Sequence, residues 1–191
     1  MSEIVKRIDE ELKKVLTYER YIHTQGVVDA ALYLARKYNE DSQEAEIAAL
    51  MHDYAKGFSK IEALGFIQKH KVEIDEVLLE AHQLLHGKIA AHIARNEFQI
   101  DNENILNAIE NHTTGRLNMS KLEKIIYLAD FIEIGRTYAG VDDLRIVAEE
   151  DLDKAVLQAL NNTMKYVLSI EKLLHPNTLL ARNQLLIGLT R

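Results

Sequence analysis

Histidine and aspartate side chains recur at the ends of the helices that this sequence predicts. His23 lies near the start of the second helix, the His52–Asp53 pair closes the third, and Asp130 lies inside a later one. Neutral imidazole and carboxylate groups together suit divalent first-row metals. The sequence contains no cysteine, which excludes disulfides, a thiolate nucleophile and cysteine-ligated metal sites. Any metal must therefore bind imidazole and carboxylate.

The His52–Asp53 pair is ambiguous by itself. Adjacent side chains on a helix diverge by about 100°, so both can reach one ion only if it lies over the edge of the helix end. Taken alone, the dipeptide is better explained by a helix-terminal histidine near the negative end of the dipole, beside a solvated aspartate.

Asp130 strengthens the case for a metal site over an ordinary helix end. It is flanked by Leu128, Ala129, Phe131 and Ile132, and burying a carboxylate is costly unless it is paired or bound to metal. One alternative is a buried ion pair, with Arg136 or a lysine as the partner. With an upstream histidine and a His–Asp pair in the same chain, a metal site is favoured.

The elements that must position these residues are helical. The chain has one proline and eight glycines, and its apolar residues recur at steps of three and four. We therefore predict an all-α fold of roughly eight to ten helices in one domain over residues 1–191, with a metal-site core at about 20–136 and C-terminal helices at about 150–189 packed on it. The predicted helices cover about 4–16, 21–38, 42–54, 59–69, 75–80, 84–98, 102–111, 120–134, 151–174 and 178–189.

Composition limits the partners. The 191 residues include 23 Lys plus Arg and 30 Asp plus Glu, a net charge of −7. No basic block is present, which excludes a duplex-binding protein but not a small anionic ligand. No uncharged apolar run reaches the roughly 18 residues of a membrane span, and the N-terminus has no signal core. We expect a soluble, cytoplasmic protein.

The order His23, His52–Asp53, Asp130 resembles the metal motif of the HD-domain phosphohydrolases. Further motifs, distributed from about Arg20 to Asn183, are similar to the YqeK branch of that superfamily. One departure is Ile134, where the branch pattern has proline. The additional matching segments are Arg20–Thr24, His52–Lys56, Leu85–Gly87, His112–Gly115, Tyr127–Glu133, His175–Thr178 and Ala181–Asn183.

The resemblance implies a hydrolase that cleaves diadenosine tetraphosphate symmetrically into two ADP by attack of a metal-bound water, with ADP or GDP as product. It implies His23, His52, Asp53 and Asp130 as ligands of a divalent metal, most commonly iron. Alternatives are an HD phosphohydrolase acting on another nucleotide and a non-catalytic metal- or nucleotide-binding module. The apolar stripes on the terminal helices are compatible with a homodimer.

Central cleavage requires cationic groups that hold the phosphates on both sides of the metal. His86 and His112 are among the candidates for this role, but they could instead complete a second metal site. We expect His86 rather than His82 to be the functional residue, because the adjacent Gly87 allows a ligand to approach closely. We expect His82, His70 and His92 to be peripheral. The predicted catalytic residues are Asp53, Asp130, His86 and Lys56; the predicted substrate contacts are Arg20, His23, Lys56, His86, His112 and Arg136.

Three further residues, which are not metal ligands, are predicted to contact the substrate. Thr113 lies in a polar segment after a helix, which could equally be an ordinary helix end. His175 and Thr178 flank Pro176, and this segment could be only a helix stop followed by a threonine cap. The resemblance instead implies that the segment His175–Thr178 helps to enclose the nucleotide.

Overall fold

The computed structural model describes residues 2–190, and within that range every regular element is helical. A single 3₁₀ turn, His82–Leu84, precedes α6. The α-helices, numbered in chain order, are α1 Glu3–Val15, α2 Tyr18–Lys37, α3 Ser42–Met51, α4 Lys60–His70, α5 Glu76–Glu80, α6 Leu85–Asn96, α7 Glu103–Asn111, α8 Lys121–Ile132, α9 Val141–Glu150, α10 Leu152–Ser169 and α11 Pro176–Leu189.

Side-chain caps explain where several helices begin. Asp41 accepts hydrogen bonds from the amides of Gln43 and Glu44 at the start of α3. Ser59 and Ser120 form capping boxes at the starts of α4 and α8, in which the serine and a glutamate three residues on satisfy each other's backbone amides. These local signals fix the helix starts that present the site residues.

The helices that carry the site form the centre of the molecule. α2 packs against α3 and α8, and α7 packs against α3, α6 and α8. α9 and α10 both pack on α8, and α11 packs on α10. Apolar side chains from α1 through α11 share one buried cluster, in which Tyr127 and Leu128 are fully buried. The site is therefore carried by helices that pack directly against one another in the core.

The all-α prediction is confirmed, but the boundaries differ at three places. The described residues form eleven α-helices, above the expected range, because α9 was not predicted. α3 ends at Met51 rather than near residue 54. The predicted helix over 151–174 ends at Ser169, and Pro176 is the first residue of α11 rather than the stop of α10.

None of the described helices combines the length and apolar character needed to cross a bilayer.

Candidate metal centre and substrate cleft

The turn that follows α3 brings His52 and Asp53 to the centre of the site. His52 still has helical backbone angles, and the chain then turns so that the Lys56 amide bonds to the Asp53 carbonyl at 2.9 Å. Small neighbours, Ala48 and Ala49, are fully buried. This turn, rather than a continuing helix edge, allows the adjacent imidazole and carboxylate to face the same point.

Two overlapping groups of candidate ligands surround Asp53. In the first, one ligand atom from each of His23, His52 and Asp130 lies within 4.8 Å of the others. The same limit of 4.8 Å holds for the second group, His52, Asp53 and His112. The structure thus brings together all four predicted metal ligands, from α2, from the end of α3 with the turn after it, and from α8.

Three histidines are oriented in the same way. The Nδ1–H groups of His52, His86 and His112 donate to the carbonyls three residues earlier, those of Ala49, Gln83 and Ile109, at 2.6, 2.8 and 2.8 Å. In each ring Nε2 is therefore the nitrogen without a proton, and it points toward Asp53. Backbone hydrogen bonds of this kind select the tautomer that binds a metal.

Buried polar atoms in the cluster lack hydrogen-bond partners among the described residues. They are His23 Nε2, His52 Nε2 and Asp53 Oδ1. Leaving a buried polar atom unpaired costs about 1–3 kcal/mol, so such atoms concentrated in one place indicate a ligand-binding site. Imidazole and carboxylate donors held in this arrangement fit a divalent ion.

The electrostatics agree with that fit. Burial raises the pKa of the Asp53 carboxyl, but the imidazoles of His52, His112 and His86 around it outweigh burial and hold the pKa well below its usual range. At Asp130, burial also raises the pKa, yet the neighbouring imidazoles of His23 and His52 and the charge on Arg136 lower it overall. Both carboxyls are therefore ionised ligands at neutral pH.

Cationic side chains lie on both sides of Asp53. Arg20 Nη1 donates to Asp53 Oδ2 at 2.9 Å, whereas Lys56 Nζ lies 3.6 Å from Oδ1. Arg136 binds Asp130 through its guanidinium. The three cationic side chains are each about 35% exposed, whereas Asp53 is buried. They form the rim between the buried cluster and solvent.

His86 and His112 face Asp53 Oδ1. Their Nε2 atoms lie 3.1 and 3.6 Å from that oxygen and 3.0 Å from each other. Because both Nδ1–H groups donate to carbonyls, each ring directs its Nε2 toward the other, and the Lys56 ammonium lies 3.2 Å from His86 Nε2, so positive charge is stabilised beside the two rings. Burial lowers the pKa of His86 to about 4, so this ring is neutral at pH 7.

Glu133 is a member of the site that the sequence analysis did not assign. Its Oε1 lies 3.1 Å from His23 Nδ1, and the carboxylate is 5% exposed. Gly26 and Gly135 make room for it: a Cβ atom on either residue would lie 2.6 or 2.9 Å from Glu133 Oε2. The available signal was spacing, because residues three apart share a helix face and Glu133 follows Asp130 by three.

Other predicted contacts lie apart from this cluster. His175 caps α11, and its ring nitrogens contact the Asn177 amide and Asp75 Oδ2, at 3.2 and 2.8 Å. Thr113 and His175 line a cavity of about 100 Å³, and Thr178 is buried. The cap on α11 is thus His175 rather than a threonine. Their contact with substrate remains a prediction.

Two local expectations change. Gly87 does not face the cluster opening: an added Cβ atom would lie 2.5 Å from the Glu110 carbonyl oxygen, so this glycine permits close contact between α6 and α7. His82, expected to be peripheral, lines a small cavity with Lys56 and His86. His70 and His92 do lie apart, with rings 4.9 Å from each other and beside Phe66.

The comparisons with known proteins agree with this geometry. The HD-domain family model matches residues 20–135. A Halalkalibacterium halodurans protein and a Bacillus subtilis protein, both named symmetrical bis(5′-nucleosyl)-tetraphosphatase, are 44% and 41% identical over 92% and 93% of this chain and 94% and 95% of their own length.

A similar solved structure is that of a Clostridium acetobutylicum protein described as a predicted HD superfamily hydrolase involved in NAD metabolism. It is 45% identical, with a TM-score of 0.92 over 96% of this chain and 97% of that one. The matched family region contains the whole cluster from His23 to Asp130. This chain belongs to the HD-domain family, within the group of relatives named symmetrical bis(5′-nucleosyl)-tetraphosphatase.

Proposed function

We propose that this protein hydrolyses diadenosine tetraphosphate at its central anhydride bond and releases two molecules of ADP. The observation that carries the proposal is the buried His–Asp cluster whose unpaired ligand atoms face a cationic rim. The names of the relatives at 44% and 41% identity support the same substrate. GDP is the expected product where guanine replaces adenine.

His23, His52, Asp53 and Asp130 would hold the divalent ion. When bound, such an ion lowers the pKa of water from 15.7 to about 7 and neutralises charge on phosphate oxygens. Iron is the metal we propose as native, on the strength of the family resemblance, and imidazole with carboxylate is a ligand set that iron accepts. Metal analysis of protein purified without added metal tests this assignment.

The chain's own residues position the polyphosphate. Arg20 lies beside one oxygen of Asp53 and Lys56 beside the other, so phosphates on the two sides of the cluster meet different cations. Arg136 extends the cationic rim past Asp130. Arg can bind two phosphate oxygens with its planar fork, while Lys acts as a point charge. Charge on both sides of the cluster favours cleavage in the middle.

His86 and His112 support a second cation at Asp53 Oδ1. Their facing Nε2 atoms, 3.0 Å apart, both lie within 3.6 Å of that oxygen. In the alternative role they donate to a phosphate, which requires at least one of them to be protonated. Titration of metal-free protein with Mn²⁺ or Fe²⁺ separates these roles, because the second-cation role gives two ions per chain.

The decisive experiment is product analysis. Metal-loaded protein is incubated with diadenosine tetraphosphate, and the nucleotides are separated by anion-exchange chromatography. We expect ADP as the sole product, and no turnover in a matched sample treated with a chelator. AMP together with ATP would contradict symmetrical cleavage, and cleavage of mononucleotides alone would point to a different member of the superfamily.

The remaining partner predictions rest on composition and surface. The net charge of −7 favours a small polyphosphate held by local cations over a nucleic acid duplex. Exposed apolar side chains on α10 and α11, among them Leu168 and Ile187, support a homodimer, which light scattering tests. We propose the cytoplasm as the compartment because the substrate is a nucleotide. Fractionation of expressing cells tests that assignment.

A further inference from the structure

A second cavity opens directly beside the cationic rim. It has a volume of about 540 Å³ and lies between the C-terminal parts of α8 and α10. Asp130 and Arg136 form its inner edge, so it is continuous with the site that would hold the phosphates. Its size falls within the roughly 300–1,000 Å³ of small-molecule sites.

Aromatic side chains form its walls, and their positions are fixed by the fold. The Phe131 ring stacks on the buried Tyr127 ring, with centroids 5.2 Å apart and an angle of 23°. The Tyr127 hydroxyl lies 3.0 Å from Thr163 Oγ1, and Tyr138 donates to the Phe131 carbonyl at 3.0 Å. These contacts hold the walls in place before any ligand arrives.

Tyr166 forms the outer wall and is 64% exposed, although its ring lines the cavity. A large aromatic surface that remains in contact with water beside a preformed cavity is free to stack on a planar ligand. Asn162 also lines the cavity, and its amide offers both a donor and an acceptor to the edge of a base.

We propose that this cavity binds the purine base of one nucleoside of the dinucleotide, with Tyr166 stacking on it. The proposal rests on the proposed function, because Arg136 and Asp130 place the phosphates at the cavity's inner edge. Stacking accepts every base, since each has a π-face. The cavity therefore supplies affinity for nucleosides in general, and the Asn162 amide supplies any preference among them.

The test compares binding of two probes to the metal-loaded full chain by calorimetry. ADP carries the base, whereas inorganic pyrophosphate carries only the phosphates. We expect Tyr166→Ala to weaken ADP binding about ten-fold, the lower part of the range for loss of one stacked base, and to leave pyrophosphate binding within two-fold. Tyr166→Phe keeps the ring and should bind ADP as the wild type does. Tyr33→Ala, on the exposed surface of α2, is the matched control.

The outcomes separate the two proposals. Wild-type protein that neither binds ADP nor cleaves the dinucleotide would overturn the proposed function and the base site with it. An active wild type whose ADP affinity is unchanged by Tyr166→Ala would overturn the base site alone. The same holds if Tyr166→Phe loses as much affinity as Tyr166→Ala, or if pyrophosphate binding falls in parallel with ADP binding.

Discussion

Glu133 Oε1 lies 3.1 Å from Nδ1 of His23, on the opposite side of the ring from the metal-facing Nε2. The carboxylate accepts the Nδ1–H, so Nε2 carries the lone pair. This carboxylate–histidine arrangement fixes both the ring orientation and the tautomer, and it raises the basicity of the ligand. It makes His23 different from the other three histidines, whose Nδ1–H groups donate to backbone carbonyls.

Glu133→Gln should therefore weaken metal binding by about 10- to 100-fold, the usual effect of removing such a partner. The substitution keeps the side-chain volume and removes the charge that stabilises the ligating tautomer. Metal affinity is measured by competition with a chromogenic chelator, which needs no turnover. Glu149→Gln, at an exposed glutamate that binds Tyr33 and Lys37, is the control.

Gly26→Ala tests the same contact from the other side. Its Cβ atom would lie 2.6 Å from Glu133 Oε2, so the carboxylate must shift away from its present position. We expect a loss of metal affinity in the same direction as for Glu133→Gln. Unchanged affinity in both variants would show that Glu133 does not orient His23.

The sequence allowed the helices and the ligand types to be predicted because both depend on local pattern. Apolar periodicity and caps such as Asp41 give most helix starts, and the combination of histidine and aspartate without cysteine gives the metal chemistry. α9 was missed because it begins after Gly140 without a side-chain cap and shares Asp151 with the start of α10.

Features that depend on contacts between distant residues could not be predicted. α3 ends at Met51, and the following turn places Asp53 against Arg20, 33 residues away. Glu133 contacts His23 across 110 residues. Gly87 next to His86 suggests an open ligand site in the sequence, but the backbone of α7 occupies the space beside it.

Asp130→Ala should abolish turnover. The substitution removes one ligand and also the partner of Arg136. Loss of metal assistance costs several kcal/mol of transition-state stabilisation, or on the order of a thousand-fold in rate. His92→Ala should stay within a few-fold of the wild type, since His92 contacts Phe66 and His70 away from the cluster. Similar steady-state rates for the two variants would show that Asp130 does not belong to the catalytic site.

The stability of chelator-treated protein should fall in acid because of His86. Its pKa is about 4 in the folded chain and about 6.5 when unfolded. Between these values the unfolded state binds the proton and the folded state does not, so stability is fully present above pH 6.5 and is lost as the pH falls to 4. The loss amounts to about 3 kcal/mol.

Urea unfolding at a series of pH values measures this effect. His86→Gln removes the titrating ring, so the slope of unfolding free energy against pH between 6.5 and 4 should become smaller than in the wild type. A slope that is identical in the two proteins would mean that His86 is not held neutral by burial.

Gly87→Ala should destabilise the protein by about 1–3 kcal/mol, the range for overpacked contacts. The new methyl group meets the carbonyl oxygens of Ile109 and Glu110, at 3.2 and 2.5 Å, and backbone atoms cannot move aside as a flexible side chain can. α6 and α7 must separate, and that movement pulls His86 away from His112. The free energy of unfolding and kcat/KM should therefore fall together.

Gly65→Ala is the matched control, because its Cβ atom meets nothing within 4 Å on the exposed face of α4. There, alanine should add about 0.5–1 kcal/mol through helix propensity and leave activity unchanged. If Gly87→Ala is as stable as Gly65→Ala, the contact between α6 and α7 does not set the position of His86.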